Sequence, residues 1–226
     1  MIRIKGVVFD AYGTLFDVFS VAQKCERKYP GKGMQISQIW RQKQLEYSWL
    51  RTLMNSYKNF WEISKESLCY ALEEIGLQYN QEQIENIMDS YLCLSTYPEV
   101  SEALQEFRSY KLMILTNGNF EMINPLLIHT GLNKRINEVL SADTVKLFKP
   151  RDEVYQLVVD HYKVSKAEIM FVSSNAWDAA GAKSFGFTVG WINRLDKPTE
   201  KLGFQPDYIV SNLLELAQKI RGELKI

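Results

Sequence analysis

The chain of 226 residues has the length of one large domain, or of a core domain that carries a smaller inserted one. Hydrophobic residues make up 46%, enough for a substantial core, and Lys plus Arg balance Asp plus Glu at 27 each, so no overall field favours nucleic acid or an anionic membrane. No apolar stretch approaches the roughly 18 residues that span a bilayer, and "MIRIKGVVFD" lacks the length of a secretory signal. Three dispersed cysteines without CxxC spacing point to reduced thiols in a cytoplasmic protein, and two histidines without ligand spacing argue against a His-based zinc site or a Ser-His-Asp triad.

The first element is "GVVFD" (6–10), a short apolar run that reads as a strand buried on both faces. Residues 17–97 then change texture. In "ISQIWRQKQLEYSWLRTLMNSY", Ile36, Trp40, Tyr47, Leu50, Met54 and Tyr57 fall near helical spacing. A second helix is expected from near Ser64 to Gly76, where glycine suits a left-handed cap, and Asn80 with Gln83 opens a third as a capping-box variant. From Pro98 onward strands and helices alternate: strands in "LMILTNGN" (112–119), "IMFVSSN" (169–175), "FTVGWIN" (187–193) and "DYIVSN" (207–212), helices near 98–109, 120–130, 151–163, 177–185 and 213–221. Alternation of this kind makes an α/β fold: a Rossmann-like parallel sheet core flanked by helices. The domain division expected is a discontinuous core, 1–16 and 98–226, with an inserted all-helical cap at 17–97.

In an open parallel sheet, ligands bind beyond the carboxyl ends of the strands. Asp10, Thr116-Asn117 and Ser173-Ser174-Asn175 with Asp178 stand there. Asp10 taken alone reads equally as a turn cap or as a carboxylate nucleophile, which is ionised at neutral pH and needs no base. Thr14 can hydrogen-bond it after a turn at Gly13. Lys149 precedes Pro150, which suits a first helical position and would hold the lysine at the mouth of a helix. Thr116-Asn117-Gly118-Asn119 offers backbone N–H groups to an anion, or is an ordinary turn. In "FVSSNAWDAAGAK" the polar residues mark a strand end, while the small ones let the next helix sit close to the sheet.

Taken together, the Asp followed four residues later by Thr, the Thr-Asn turn, the Lys-Pro pair and the "SSNAWD" strand end resemble the four motifs of the haloacid dehalogenase superfamily. "FDAYGTLFD", "WRQKQLEYSWL", "LTNGN", "KP…VY" and "FVSSNAWDAAGAK" look more narrowly like the (S)-2-haloacid dehalogenases, over essentially the whole chain. The resemblance implies hydrolysis of (S)-2-haloacids to (R)-2-hydroxy acids and halide through an ester on Asp10, with one inversion at C2. It makes Thr14, Lys149, Ser173, Asn175 and Asp178 the surroundings of that carboxylate, with Asp178 as base and Lys149 lowering the pKa of both acids. Arg41 and Asn117 would receive the halide. Thr116, with backbone near Tyr12 and Asn117, would hold the substrate carboxylate; Tyr155 belongs to the site; Leu45, Phe60 and Trp177 would enclose the alkyl group. Thr116 departs from the Ser usual in the family. The family is commonly dimeric and works without metal or other cofactor, so a homodimer is expected, with no nucleic acid or membrane partner.

The competing reading is a Mg²⁺-dependent phosphatase or phosphonatase of the same superfamily, with Lys43 or Lys58 as the Schiff-base lysine of the latter. Phosphatases place an aspartic acid two residues after the nucleophile to protonate the leaving alkoxide, and this chain has Tyr12 there. A phenol of pKa about 10 replaces that acid poorly, whereas a departing halide needs no proton. A non-catalytic binding protein of this fold would have no need of Asp10, Lys149 and Asp178 together.

Overall fold

The computed structural model describes residues 4–223. Strand β1 (Gly6–Phe9) is followed by helices α1 (Ala22–Lys28), α2 (Gly33–Leu53), α3 (Phe60–Glu74) and α4 (Gln81–Met88). The alternating part then runs α5 (Val100–Glu106), β2 (Lys111–Thr116), α6 (Phe120–Thr130), β3 (Glu138–Ser141), α7 (Asp152–Tyr162), β4 (Ile169–Ser173), α8 (Ala176–Phe185), β5 (Thr188–Ile192), β6 (Tyr208–Val210) and α9 (Leu213–Glu223). All six strands are parallel, in the order β3-β2-β1-β4-β5-β6. The expected α/β class, a parallel sheet flanked by helices with a helical cap, is the one found.

Strands β1 and β4 are buried along their whole length because helices cover both faces, which is why their sequences are unbroken apolar runs. Each fully buried Val, Ile or Phe there contributes about 1.5–3 kcal/mol. Strand order reverses beside β1, so the carboxyl ends of β1, β2 and β4 converge on one crevice. The helical segment leaves and returns side by side: Asp17 N donates to Ser95 O at 2.9 Å and Tyr97 N to Leu15 O at 3.1 Å.

Four expectations need correction. Strand β3 was not foreseen; it is a half-exposed edge strand whose only apolar pair is Val139-Leu140, too weak a run to register. Helix α3 begins at Phe60, not near Ser64, because Asn59 caps it by accepting the Glu62 N–H at 2.9 Å. On α2, Ile36 and Trp40 are buried but Leu50 and Met54 are 42% and 63% exposed, and Tyr57 lies past the helix. The inner stripe continues instead through Gln44, whose Nε2 donates to Ser64 Oγ at 2.8 Å and whose Oε1 accepts from Tyr91 Oη at 3.0 Å. A polar residue is tolerated there because its amide is paired on both sides. Finally, α7 starts at Asp152 with Arg151 as its cap, so Pro150 precedes the helix instead of opening it. The capping box at Asn80 and Gln83 and the left-handed Gly76 (φ 71°) are both present.

Candidate active site

Asp10 directly follows β1, and its N–H donates to Val172 O at 2.9 Å, so its backbone still belongs to the sheet. The chain then folds back on Ala11, whose carbonyl accepts from Thr14, Leu15 and Phe16 N–H. Gly13 at φ +89° makes that turn, a conformation that a Cβ would strain. The turn brings Thr14 Oγ1 to 3.0 Å from Asp10 Oδ2.

Lys149 enters from the loop after β3, its N–H anchored on Asn117 Oδ1 at 2.9 Å. Its ammonium donates to Asp10 Oδ1 at 2.7 Å, Asp178 Oδ2 at 2.7 Å and Leu115 O at 3.1 Å, which uses all three donors. Lys149 is 1% exposed and Asp178 wholly buried. Burial by itself would discharge the lysine, but the two carboxylates outweigh it and its pKa is raised. For Asp178 the balance differs: burial is the largest influence and holds its pKa above the usual carboxylate value, although Lys149 pulls it down. Lys149 thus lowers the pKa of Asp178 in the direction expected, but burial outweighs it.

The end of β4 completes the polar shell. Asn175 Nδ2 donates to Asp10 Oδ2 at 2.8 Å and to Tyr12 O at 3.1 Å. Ser173 Oγ lies 3.1 Å from Asp178 Oδ2 and 3.5 Å from Asp10 Oδ2, so its one proton favours Asp178, and it accepts from Asn175 N at 3.1 Å. Asp178 sits in the first turn of α8. The "AAGAK" that follows is small for a more specific reason than closeness to the sheet: a Cβ on Gly181 would come 2.5 Å from Pro150 Cβ and 2.8 Å from Tyr155 Oη. Close packing there lets Tyr155 Oη donate to Asp178 Oδ1 at 2.7 Å.

A narrow cavity of about 10 Å³ lies over Asp10. The sheet side supplies Asp10, Tyr12, Asn117, Lys149, Asn175 and Trp177; the helical segment supplies Arg41, Leu45 and Phe60. Arg41 and Leu45 stand one turn apart on the same face of α2, and Arg41 Nη2 makes long contacts with Asn175 Oδ1 at 3.3 Å and Tyr12 O at 3.5 Å. An outer vestibule of about 310 Å³ shares Arg41, Leu45, Asn175 and Trp177 with this cavity. A wider cavity of about 580 Å³, between Tyr57, Glu121 and Asp143, contains none of the expected site residues.

Two of the expected residues are placed differently from the substrate-binding position foreseen for them. Tyr155 is wholly buried behind Asp178 and does not line the cavity. Thr116 is also wholly buried, and its hydroxyl accepts from Gly118 N at 3.0 Å. Tyr12 lines the cavity as expected, its carbonyl accepting from Asn175 Nδ2 and Arg41 Nη2. The Tyr12 ring packs against Phe60 and Tyr91; burial raises its pKa, and its hydroxyl has no hydrogen-bond partner among the described residues. It cannot serve as an acid in place of a carboxyl group.

Two roles escaped the sequence reading: that of Ser174, seen there only as part of a strand end, and that of Arg194. Ser174 N donates to Thr14 Oγ1 at 2.8 Å, so the β4 loop holds the very hydroxyl that holds Asp10. Arg194, just beyond β5, hydrogen-bonds Gly13, Thr14 and Ser174. Arginine in a loop after a strand carries no signal of what it will span.

Residues 4–186 match the family described as haloacid dehalogenase-like hydrolase. The chain is 44% identical to the (S)-2-haloacid dehalogenase of Pseudomonas sp. strain YL, over 97% of each chain. It is 41% identical to the haloacetate dehalogenase H-2 of Moraxella sp. strain B, over 93% of this chain and 95% of that one. The L-2-haloacid dehalogenase of Xanthobacter autotrophicus, solved with chloropropionic acid covalently bound, superposes with a TM-score of 0.94 at 40% identity, covering 97% of this chain and 99% of the other.

Proposed function

The chain belongs to the (S)-2-haloacid dehalogenases, within the haloacid dehalogenase-like hydrolases, and from that premise we propose how it cleaves the carbon–halogen bond. It is a hydrolase that converts (S)-2-haloacids to (R)-2-hydroxy acids and halide. The observation that carries the reading is the pair of buried carboxylates, Asp10 and Asp178, bridged by one ammonium at 2.7 Å from each, with Tyr12 where a phosphatase would need its acid.

Asp10 Oδ2 accepts from Thr14 and Asn175, while Oδ1 has only Lys149. Oδ1 thus keeps a lone pair for in-line attack on C2, which forms the C–O bond as the C–halogen bond breaks. Arg41 and Asn117, both at the cavity wall, receive the halide. Water then adds to the carbonyl carbon of the Asp10 ester and not to C2, so the configuration inverts once. Asp178, more basic than an ordinary carboxylate through burial, takes the proton of that water; the bond from the Asp10 carbonyl carbon to the ester oxygen then breaks, and the proton passes to the departing 2-hydroxy acid. Tyr155 and Ser173 orient Asp178 from behind. Leu45, Phe60 and Trp177 enclose the alkyl group.

The ammonium already stands where a cation would neutralise both carboxylates, which supports chemistry without a metal. Among the described residues no group of three His, Cys, Asp or Glu is gathered as a metal site. Residues 17–97 act as a cap over the core formed by 1–16 and 98–226. Leu50, Leu53 and Met54, exposed together at the end of α2, support a homodimer. Three free cysteines support a reducing, cytoplasmic setting, and among the described residues no helix is long and apolar enough to cross a membrane.

The test is chloride release from (S)-2-chloropropionate in EDTA, with Asp10→Asn as control. The expected result is release by the wild type and loss of about 10⁴-fold or more in the variant. Absence of chloride, with hydrolysis of a phosphate ester on adding Mg²⁺, would return the chain to the phosphatase reading.

A further inference from the structure

We propose that Arg194 is a positioning residue for this reaction: it locks the turn carrying Thr14 and the loop carrying Ser174 to the hinge of the cap. The guanidinium makes five hydrogen bonds. Nη1 donates to Gly13 O at 3.2 Å and Ser174 Oγ at 2.6 Å; Nη2 donates to Thr14 O at 3.0 Å and Glu99 Oε1 at 2.6 Å; Nε donates to Glu99 Oε1 at 3.2 Å. An arginine has five N–H donors in a fixed plane, so the whole group is used. That plane also lies over the Tyr97 ring, 3.7 Å from its centroid.

These partners belong to three separate stretches of chain. Gly13 and Thr14 form the turn behind the nucleophile, Ser174 follows β4, and Tyr97 with Glu99 is where the helical segment rejoins the core. From Arg194 the connection to the reacting carboxylate is short. It fixes the Thr14 carbonyl and the Ser174 hydroxyl; Ser174 N donates to Thr14 Oγ1, and Thr14 Oγ1 donates to Asp10 Oδ2. At the other end, Tyr97 N donates to Leu15 O, so the same turn is tied to the cap's return segment. Arg194 and Glu99 are each 17% exposed, dry enough for the ion pair to hold its geometry. Arg194 lines the outer vestibule but not the cavity over Asp10, so its connection to the nucleophile runs through Thr14.

A lysine at 194 would keep the charge and the Glu99 pairing but offer three donors from a single point, which cannot span Gly13, Thr14 and Ser174 at once. Arg194→Lys and Arg194→Ala are compared with the wild type by two measurements. The first is hydrogen–deuterium exchange of the substrate-free protein. Segments 11–17 and 172–176 are expected to exchange about tenfold faster in both variants while β1, β2 and β5 stay protected. The second is steady-state turnover of (S)-2-chloropropionate: kcat is expected to fall at least about tenfold with KM within about threefold, and added guanidinium to restore part of the Arg194→Ala rate.

A role as a mere staple would lower Tm and leave kcat intact below it. That outcome, or unchanged exchange in both segments, would overturn the proposal. It rests on the haloacid reading only for its kinetic half; the exchange measurement needs no substrate, so failure of the positioning role and failure of that reading are told apart.

Discussion

The two halves of the candidate site are built differently. On the sheet side Asp10, Lys149, Asn175 and Asp178 are joined by bonds of 2.7–2.8 Å and three of the four are almost wholly buried; Asp10 and Asn175 follow strand ends, Lys149 comes from the loop after β3 and Asp178 from the first turn of α8. On the cap side Arg41 reaches across at 3.3 and 3.5 Å, and Leu45 is only half-buried. Preorganised electrostatics thus reside in the core, where reorganisation during reaction is least, while the cap contributes a wall whose contacts are loose enough to re-form.

If the contrast is right, substitutions on the two sides differ in kind and in size. Lys149→Met has the largest expected effect. It leaves two buried carboxylates without their shared counter-charge, and should lower stability by about 3–5 kcal/mol, read by denaturant unfolding, besides abolishing chloride release. Asp178→Asn should leave the first step intact and slow the second by about 10²–10⁴-fold. Rapid-quench measurement should show one equivalent of chloride per site and a trapped adduct on Asp10 by mass spectrometry; chloride release that continues at the wild-type rate would remove Asp178 from the mechanism.

The pH profile sharpens the comparison further. Asp178 must be ionised to act, and its pKa is raised, so turnover should climb with pH through a range above that of an ordinary aspartate. Lys149 must be protonated, and its pKa is raised as well, so the alkaline limb should lie above the ordinary lysine value of about 10.4. Its stabilising pairing is fully present below the unfolded-state value and is lost as pH rises through the folded one. A bell narrower than these limits would contradict the buried bridge. The smallest effect is expected on the cap: Leu45→Ala should change the ratio of kcat/KM between 2-chloropropionate and its longer homologues by about 10-fold, with kcat for the short acid nearly unchanged.

Much of this was legible in advance, and for definite reasons. The apolar runs at 6–10, 112–119, 169–175 and 187–193 became strands because burial on both faces demands unbroken hydrophobicity. Asp10, Lys149, Asn175 and Asp178 meet because parallel strands deliver their ends to one edge. What stayed hidden had no local signature. Strand β3 owes its existence to a neighbour's hydrogen bonds more than to its own residues. Gln44 is buried because Ser64 and Tyr91 happen to face it.

By itself, then, the sequence determined the class of fold and which residue types stand at the strand ends, since periodicity and turn chemistry are local properties. Only the tertiary structure decided which of them touch. It put Tyr155 behind Asp178 and outside the cavity, turned the Thr116 hydroxyl onto Gly118 N, and set the balance of burial against charge that raises the pKa of Asp178. Desolvation and hydrogen-bond partnership depend on atoms brought together from distant parts of the chain, and no short stretch of residues contains them.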